Sequence, residues 1–232
     1  MTTGEPATSI WLRPERAAVG RPAQRSRAEI TAAAIAIADA DGLKAVSMRR
    51  VAAQLGTGAA SLYRYVETRD ELLDLMTDAV GGEITFAEPG GDWLADLVAM
   101  GEGFLAGLRR HRWLVELVIT RPVLGPNGLA MLEHFLTVLR GHPADVLTKM
   151  EAFAMLNGMA AQFALHEQTG GSAAQQRNAA YLQHTLASGE HPRLAELLSQ
   201  SPPGPPGPVD PAERFGDILA RVLSGLLGPR PS

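Results

Sequence analysis

The chain has 232 residues, 46% apolar and 20% charged, with a formal net charge of −4 and no cysteine. That length supports a sizeable core in one or two domains, while no apolar run approaches the roughly 20 residues that cross a bilayer and the N-terminus carries no secretory hydrophobic segment. The absence of cysteine excludes disulfides, thiolate zinc sites and a cysteine nucleophile, and fits a reducing cytoplasm.

Residues 1–23, punctuated by Pro6, Pro14, Gly20 and Pro22, have no period and are expected to form a flexible basic arm. Ser26 and Glu29 have capping-box spacing ahead of a helix with Ile30, Ala33, Ala34, Ile37 and Ala38 on one face, ended at Asp41-Gly42. Ser47 caps a second helix with Met48, Val51, Ala52 and Leu55 inward, and Gly56 supplies a turn at positive φ. A third helix is predicted from Ala59 to Tyr65 and a fourth from Arg69 to Val80. Gly81-Gly82 and the Pro-Gly loop at 88–91 mark a joint.

Beyond the joint the pattern stays helical. Asp92 can cap a helix from Trp93 to Arg110, and a short one follows through Trp113 to Thr120. After a loop containing Gly125, Pro126, Asn127 and Gly128, a helix is predicted from Leu129 to Arg140. His142-Pro143 opens a long helix to about Gln168, Ser172 caps another to about Ser188, and a short one runs from Pro192 to Leu198. The stretch SPPGPPGPVDP suits neither helix nor strand. Asp210, Pro211 and Glu213 then supply an N-cap, an N1 proline and an N3 acid for a last helix to Leu227. With no strand pattern, the fold class is all-α: a three-helix helix-turn-helix domain over 24–84 and a helical C-terminal domain over 92–228.

Charge follows the same division. Between Ile10 and Val66 stand nine Lys or Arg against four Asp or Glu, whereas from Glu67 onward twelve oppose twenty. A basic module on an acidic body is expected of a nucleic-acid reader joined to a partner or ligand domain. A helix entering a major groove about 12 Å wide needs a slim face flanked by groups that grip phosphate. Thr57, Gly58, Ala59 and Ala60 keep the third helix slim at its start, letting the backbone and Ser61 approach base edges, while Tyr63, Arg64 and Tyr65 stand as phosphate contacts on its outer face. Ser47 opens a helix N-terminus suited to phosphate, Arg49 one turn in can grip guanine bidentately, and Arg69 offers another phosphate contact. In the arm, Arg13, Arg16, Arg21, Arg25 and Arg27 either track an adjacent minor groove or form a solubilising tail.

The segment ITAAAIAIADADGLKAVSMRRVAAQLGTGAASLYRYVETRDELLDLM resembles the DNA-binding domain of the tetracycline-repressor (TetR) family of bacterial regulators. RRHRWLVELVITRPVLGPNGLAMLEHFLTVL and PAERFGDILARVLSGLLG resemble, more weakly, the ligand-binding half of the subgroup around the tetracycline repressor itself. The resemblance implies a homodimer on a palindromic double-stranded operator, released by a small-molecule effector. It places Arg49, Ala59 and Ser61 at base-facing positions and Ser47, Tyr63, Tyr65 and Arg69 at phosphate-facing ones. Ala59 and Ala60 depart from longer side chains used in the family, so direct base readout is expected to be sparse.

An effector cavity is expected among the middle helices, with Phe104, Trp113, Phe135 and Phe153 as apolar lining and His134, Asn157, Gln162 and His166 as polar groups. Taken singly, an aromatic residue at helical spacing is more often core than ligand site, and a lone histidine more often a hydrogen-bonded or surface residue. The six histidines form no close ligand cluster, so neither a metal nor another cofactor is expected. The long helix from Pro143 and the last helix are the dimerisation candidates, which under the resemblance form a four-helix bundle across a two-fold axis. The competing reading is a constitutive or architectural DNA-binding protein without an effector. An enzyme is disfavoured, because the sequence has no phosphate loop, G-x-S-x-G elbow or paired metal motif.

Overall fold

The computed structural model describes residues 9–15, 25–121, 123–171, 173–199 and 211–228. It contains eleven α-helices among these residues and no strand: α1 Arg27–Asp41, α2 Met48–Gln54, α3 Ala59–Leu62, α4 Arg69–Gly81, α5 Trp93–Arg110, α6 Leu114–Thr120, α7 Pro126–Val138, α8 Val146–Thr169, α9 Ala173–Ala187, α10 Pro192–Ser199 and α11 Pro211–Leu227. No helix among the described residues is long and apolar enough to cross a membrane.

Local chemistry starts the N-terminal helices where the sequence indicates. The Ser26 hydroxyl accepts from the Glu29 amide and the Glu29 carboxylate from the Ser26 amide, so both halves of the capping box are present. Ser47 caps α2 and Thr68 caps α4, each accepting from the amide three residues on. Gly56 turns at φ 65°, a conformation that side chains resist. The predicted inner faces are buried: Ile30, Ala34 and Ile37 of α1 meet Val51, Leu62, Val66, Leu72 and Met76 in one core.

The body is built on α5, α8 and α11, which pack on one another. Leu97, Leu105 and Leu108 of α5 and Phe215, Leu219 and Leu223 of α11 are fully enclosed. The inner face of α8 is mostly alanine (Ala152, Ala160, Ala161, Ala164), which brings the helices close. A Cβ at Gly101 would overlap the end of the Leu219 side chain, so α5 and α11 pack closely at this glycine.

Four sequence expectations are corrected. The arm is anchored over residues 9–15: Ile10 is buried, Arg13 pairs with Glu67 and Glu71, and Arg27 donates to the Ile10 and Arg13 carbonyls. Those carboxylates belong to α4 and its approach, so only the fold brings them to the arm. The Arg13 guanidinium is held above the ordinary arginine range, chiefly by its hydrogen bond to Glu71, with Glu67 adding to it. The remainder of the arm, including Arg16 and Arg21, lies outside the described residues, as do Ser172 and residues 201–210.

The third helix is one turn long, ending at Leu62, because Tyr65 and Val66 both donate to the Leu62 carbonyl and fold the chain back. The loop expected at Gly125–Gly128 is instead the first turn of α7, with Pro126 at N1. Its amides are taken by the carboxylate of Asp78, 49 residues away on α4, a partner no local pattern reveals. The long helix begins at Val146, three residues later than expected, because Asp145 provides its cap to the Thr148 amide.

Candidate nucleic-acid interface and adjoining cavity

The reading head is the α2–turn–α3 unit. On α2, Met48, Val51 and Ala52 are buried and Arg49 and Arg50 exposed. Arg50 pairs with Asp41. Arg49 has no hydrogen bond or ion pair among the described residues, which leaves its guanidinium for an external partner. Tyr63 is 49% exposed, and Arg64 beside it is exposed with only a long contact to the Ser61 carbonyl, 3.5 Å. Exposed Ser47 stands at the α2 N-terminus.

Several expected contact residues face inward or are occupied. Tyr65 is only 7% exposed and its backbone carbonyl accepts from Arg27 Nε; it belongs to the core instead of the outer face, because the chain turns back at Leu62. Arg69 Nε donates to the Val46 carbonyl and its Nη2 to that of Leu43, each at 3.2 Å. Arg69 therefore ties the start of α4 to the segment that leads into α2. Ser61 donates to the Gly58 carbonyl and lies 2.8 Å from the Thr57 hydroxyl, so the two hydroxyls brace the turn before α3. Ala59 is half-buried. Arg25 and Arg27 likewise donate to protein carbonyls.

Behind the head, α4 runs into the wall of a cavity of about 710 Å³. Of the predicted lining, Phe104, Phe153, Asn157 and Gln162 are brought together there. The other four are placed elsewhere. Phe135 is fully buried against Phe153, His134 stacks on Phe86, His166 is exposed on α8, and Trp113 donates its indole N–H to Asp39 at 2.7 Å. Residue type marked these as apolar or polar; which helix face meets which neighbour depends on the crossing of α5, α7 and α8.

The cavity also includes residues that sequence reasoning missed: Thr77 and Asp78 from α4, and Arg121. Thr77 and Asp78 show in the sequence only as polar residues within the helical pattern of α4, and Arg121 only as the residue that ends α6. Asp78 is 6% exposed and accepts from the amides of Asn127 and Gly128 and from Asn127 Nδ2, each at 3.0 Å. Arg121 donates to Asp70 and Asp74. Burial works against the Arg121 charge, but the hydrogen bonds to Asp74 and Asp70 outweigh it and hold the guanidinium above its ordinary range.

A second set of contacts joins the two halves. His111, 5% exposed, sits between Asp39 of α1 at 2.8 Å and Glu83 at 3.0 Å, and Trp113 shares the same Asp39 oxygen. Among the described residues no group of three metal-binding side chains occurs.

Comparison with known proteins matches residues 30–76 to the family of bacterial regulatory proteins called tetR, and residues 86–228 to the tetracyclin repressor-like C-terminal domain. The chain is 38% identical to the HTH-type transcriptional repressor DrrR1 of Streptomyces coeruleorubidus, over 94% of this chain and 83% of that protein. The crystal structure of apo ActR from Streptomyces coelicolor superposes with a TM-score of 0.74 at 32% identity, covering 88% of this chain and 95% of that one. The same protein in complex with actinorhodin gives 0.72 at 32% identity, covering 88% and 97%.

Proposed function

Because the chain belongs to the TetR family of bacterial regulatory proteins, as a DNA-binding transcriptional repressor with a tetracycline-repressor-like C-terminal domain, we propose that it is a homodimer that leaves a palindromic operator when a small molecule fills the cavity. One observation carries this reading: a single helix serves both ends. At the N-terminus of α4, Arg69 holds the carbonyls just before α2; two turns on, Thr77, Asp78 and Gly81 line the cavity. A ligand that fits the cavity better with α4 displaced lowers operator affinity by its differential affinity for the two states. The actinorhodin complex of ActR supports a small-molecule effector in this architecture.

In this reading Arg49 contacts base edges, and Ser47, Tyr63 and Arg64 hold the phosphate backbone. Thr57, Ala59 and Ser61 form the slim surface between them. Arg69 and Tyr65 fix the head's geometry from inside. Domain limits of 24–84 and 92–228 suit the division of roles.

The homodimer rests on exposed apolar surface. Leu147, Met150 and Met155 stand out from α8, and Ile218, Val222 and Leu226 form a half-buried second stripe on α11. No described side chain of α9 or α10 is buried, although Tyr181, Leu197 and Leu198 are large and apolar. A second copy of the chain would cover these surfaces.

The test is selection of genomic fragments by the purified chain, with sedimentation of the bound complex. A two-fold symmetric motif with half-sites about 34–36 Å apart, bound by two chains, is expected. Sequence-independent binding would favour the architectural reading and overturn this one, as would a bound monomer.

A further inference from the structure

We infer that the effector is a neutral, largely apolar molecule bearing a hydrogen-bond donor, such as a hydroxyl, that engages Thr77 and Asn157; this rests on reading the cavity as the effector site. Charge is the first argument. The cavity's two ionised residues are both compensated within the protein: the Asp78 carboxylate holds three donors and Arg121 two carboxylates. An ionic ligand would have to give up water and find no free counter-charge. The rest of the wall is mainly apolar, with Phe104, Leu108, Val118, Met131 and Phe153.

The second argument is hydrogen bonding left undone. The Thr77 hydroxyl and Asn157 Oδ1 are buried and have no partner among the described residues. Asn157 Nδ2 is already spent on the Phe153 carbonyl at 2.9 Å, so the free atom is an acceptor. A buried polar atom without a partner costs stability. These two occur on different helices, α4 and α8, that wall the same cavity. Neither oxygen faces the open cavity in the empty protein, so a change of Thr77 or Asn157 rotamer brings it to a ligand hydroxyl, and the hydrogen bond then formed removes that cost. Thr77 also adjoins Asp78, the residue joining α4 to α7, so the ligand's polar end grips the helix that reaches the reading head.

The probes are 1-hydroxypyrene, 1-methoxypyrene and pyrene-1-sulfonate, which share one fluorescent skeleton and differ in donor and charge. They are titrated at neutral pH into the full-length wild type, Thr77→Val, Asn157→Leu and Gly158→Leu. Gly158 lines the cavity and has open space around a Cβ, so its leucine obstructs the site without repacking the core. The expected result is that hydroxypyrene binds the wild type roughly five- to tenfold more tightly than methoxypyrene, that sulfonate binds least, and that Gly158→Leu weakens all binding. The preference for hydroxyl over methoxy should fall to near unity in Thr77→Val or Asn157→Leu while methoxypyrene still binds. Equal wild-type binding of hydroxyl and methoxy probes, or a preference surviving both substitutions, overturns the donor assignment and leaves the cavity reading standing. Failure of all three probes to bind, or binding untouched by Gly158→Leu, overturns both.

Discussion

Removing the Asp78 carboxylate tests whether α4 and α7 are locked by one buried side chain. In Asp78→Ala the amides of Asn127 and Gly128 at the start of α7 lose their acceptor, and Asn127 Nδ2 keeps only the Asp78 backbone carbonyl at 3.1 Å. Water from the adjoining cavity replaces the lost acceptor only in part, since Asp78 is 6% exposed and Gly125 lies so close that a Cβ there would overlap the carboxylate and come within 2.7 Å of Trp11. A hydrogen bond to a charged group contributes about 1.5–3 kcal/mol, and bonds sharing one acceptor group are not additive. The expected loss is therefore about 3–4 kcal/mol, or roughly 10 °C in Tm for a chain of this size. Asp78→Asn keeps a carbonyl for the two amides but turns an NH₂ toward Asn127 Nδ2, for a loss of about 1–2 kcal/mol. Urea unfolding followed by circular dichroism measures both. A loss below about 1 kcal/mol in Asp78→Ala, or equal losses in the two variants, would refute the carboxylate as the lock.

Arg49→Ala should leave Tm unchanged, because the side chain is exposed with no partner among the described residues, yet weaken operator binding by about 1–3 kcal/mol with relaxed sequence preference; fluorescence anisotropy at fixed salt reads this. Arg13→Ala removes the ion pairs to Glu67 and Glu71, and the amides of residues 9–15 should then exchange hydrogen faster than in the wild type by mass spectrometry. His142 is buried, and desolvation, with the Lys149 charge adding to it, holds its imidazole below the usual range. The unfolded chain takes up that proton more readily than the folded one, so this contribution to stability is present above about pH 6.5 and is eroded as pH falls toward the folded value. An NMR titration of the His142 ring should show a midpoint below about 6.5; a midpoint at or above it would contradict the burial argument.

The sequence by itself determined where the N-terminal helices start and turn. Ser26 with Glu29, Ser47 and Gly56 act on backbone groups two to four residues away, so their effect is written in local order. It also determined the burial of α1 and α2, since a 3.6-residue period assigns an inner face whatever the partner. The family could be read there too, because the reading head is a contiguous motif. Tertiary structure alone decided what is remote in sequence. Tyr65 turned inward, Arg69 went to the carbonyls of Leu43 and Val46, and residues 9–15 docked through Arg13. Asp78 converted an apparent Gly-Pro loop into a helical turn 49 residues later. The cavity depended on it most: Phe104, Phe153, Asn157 and Gln162 converge while Trp113, His134, Phe135 and His166 do not. Hydrophobicity sets which face is buried, but only the angle and spacing of packed helices decide which buried atoms meet and which, like Thr77 Oγ1 and Asn157 Oδ1, have no partner among the described residues.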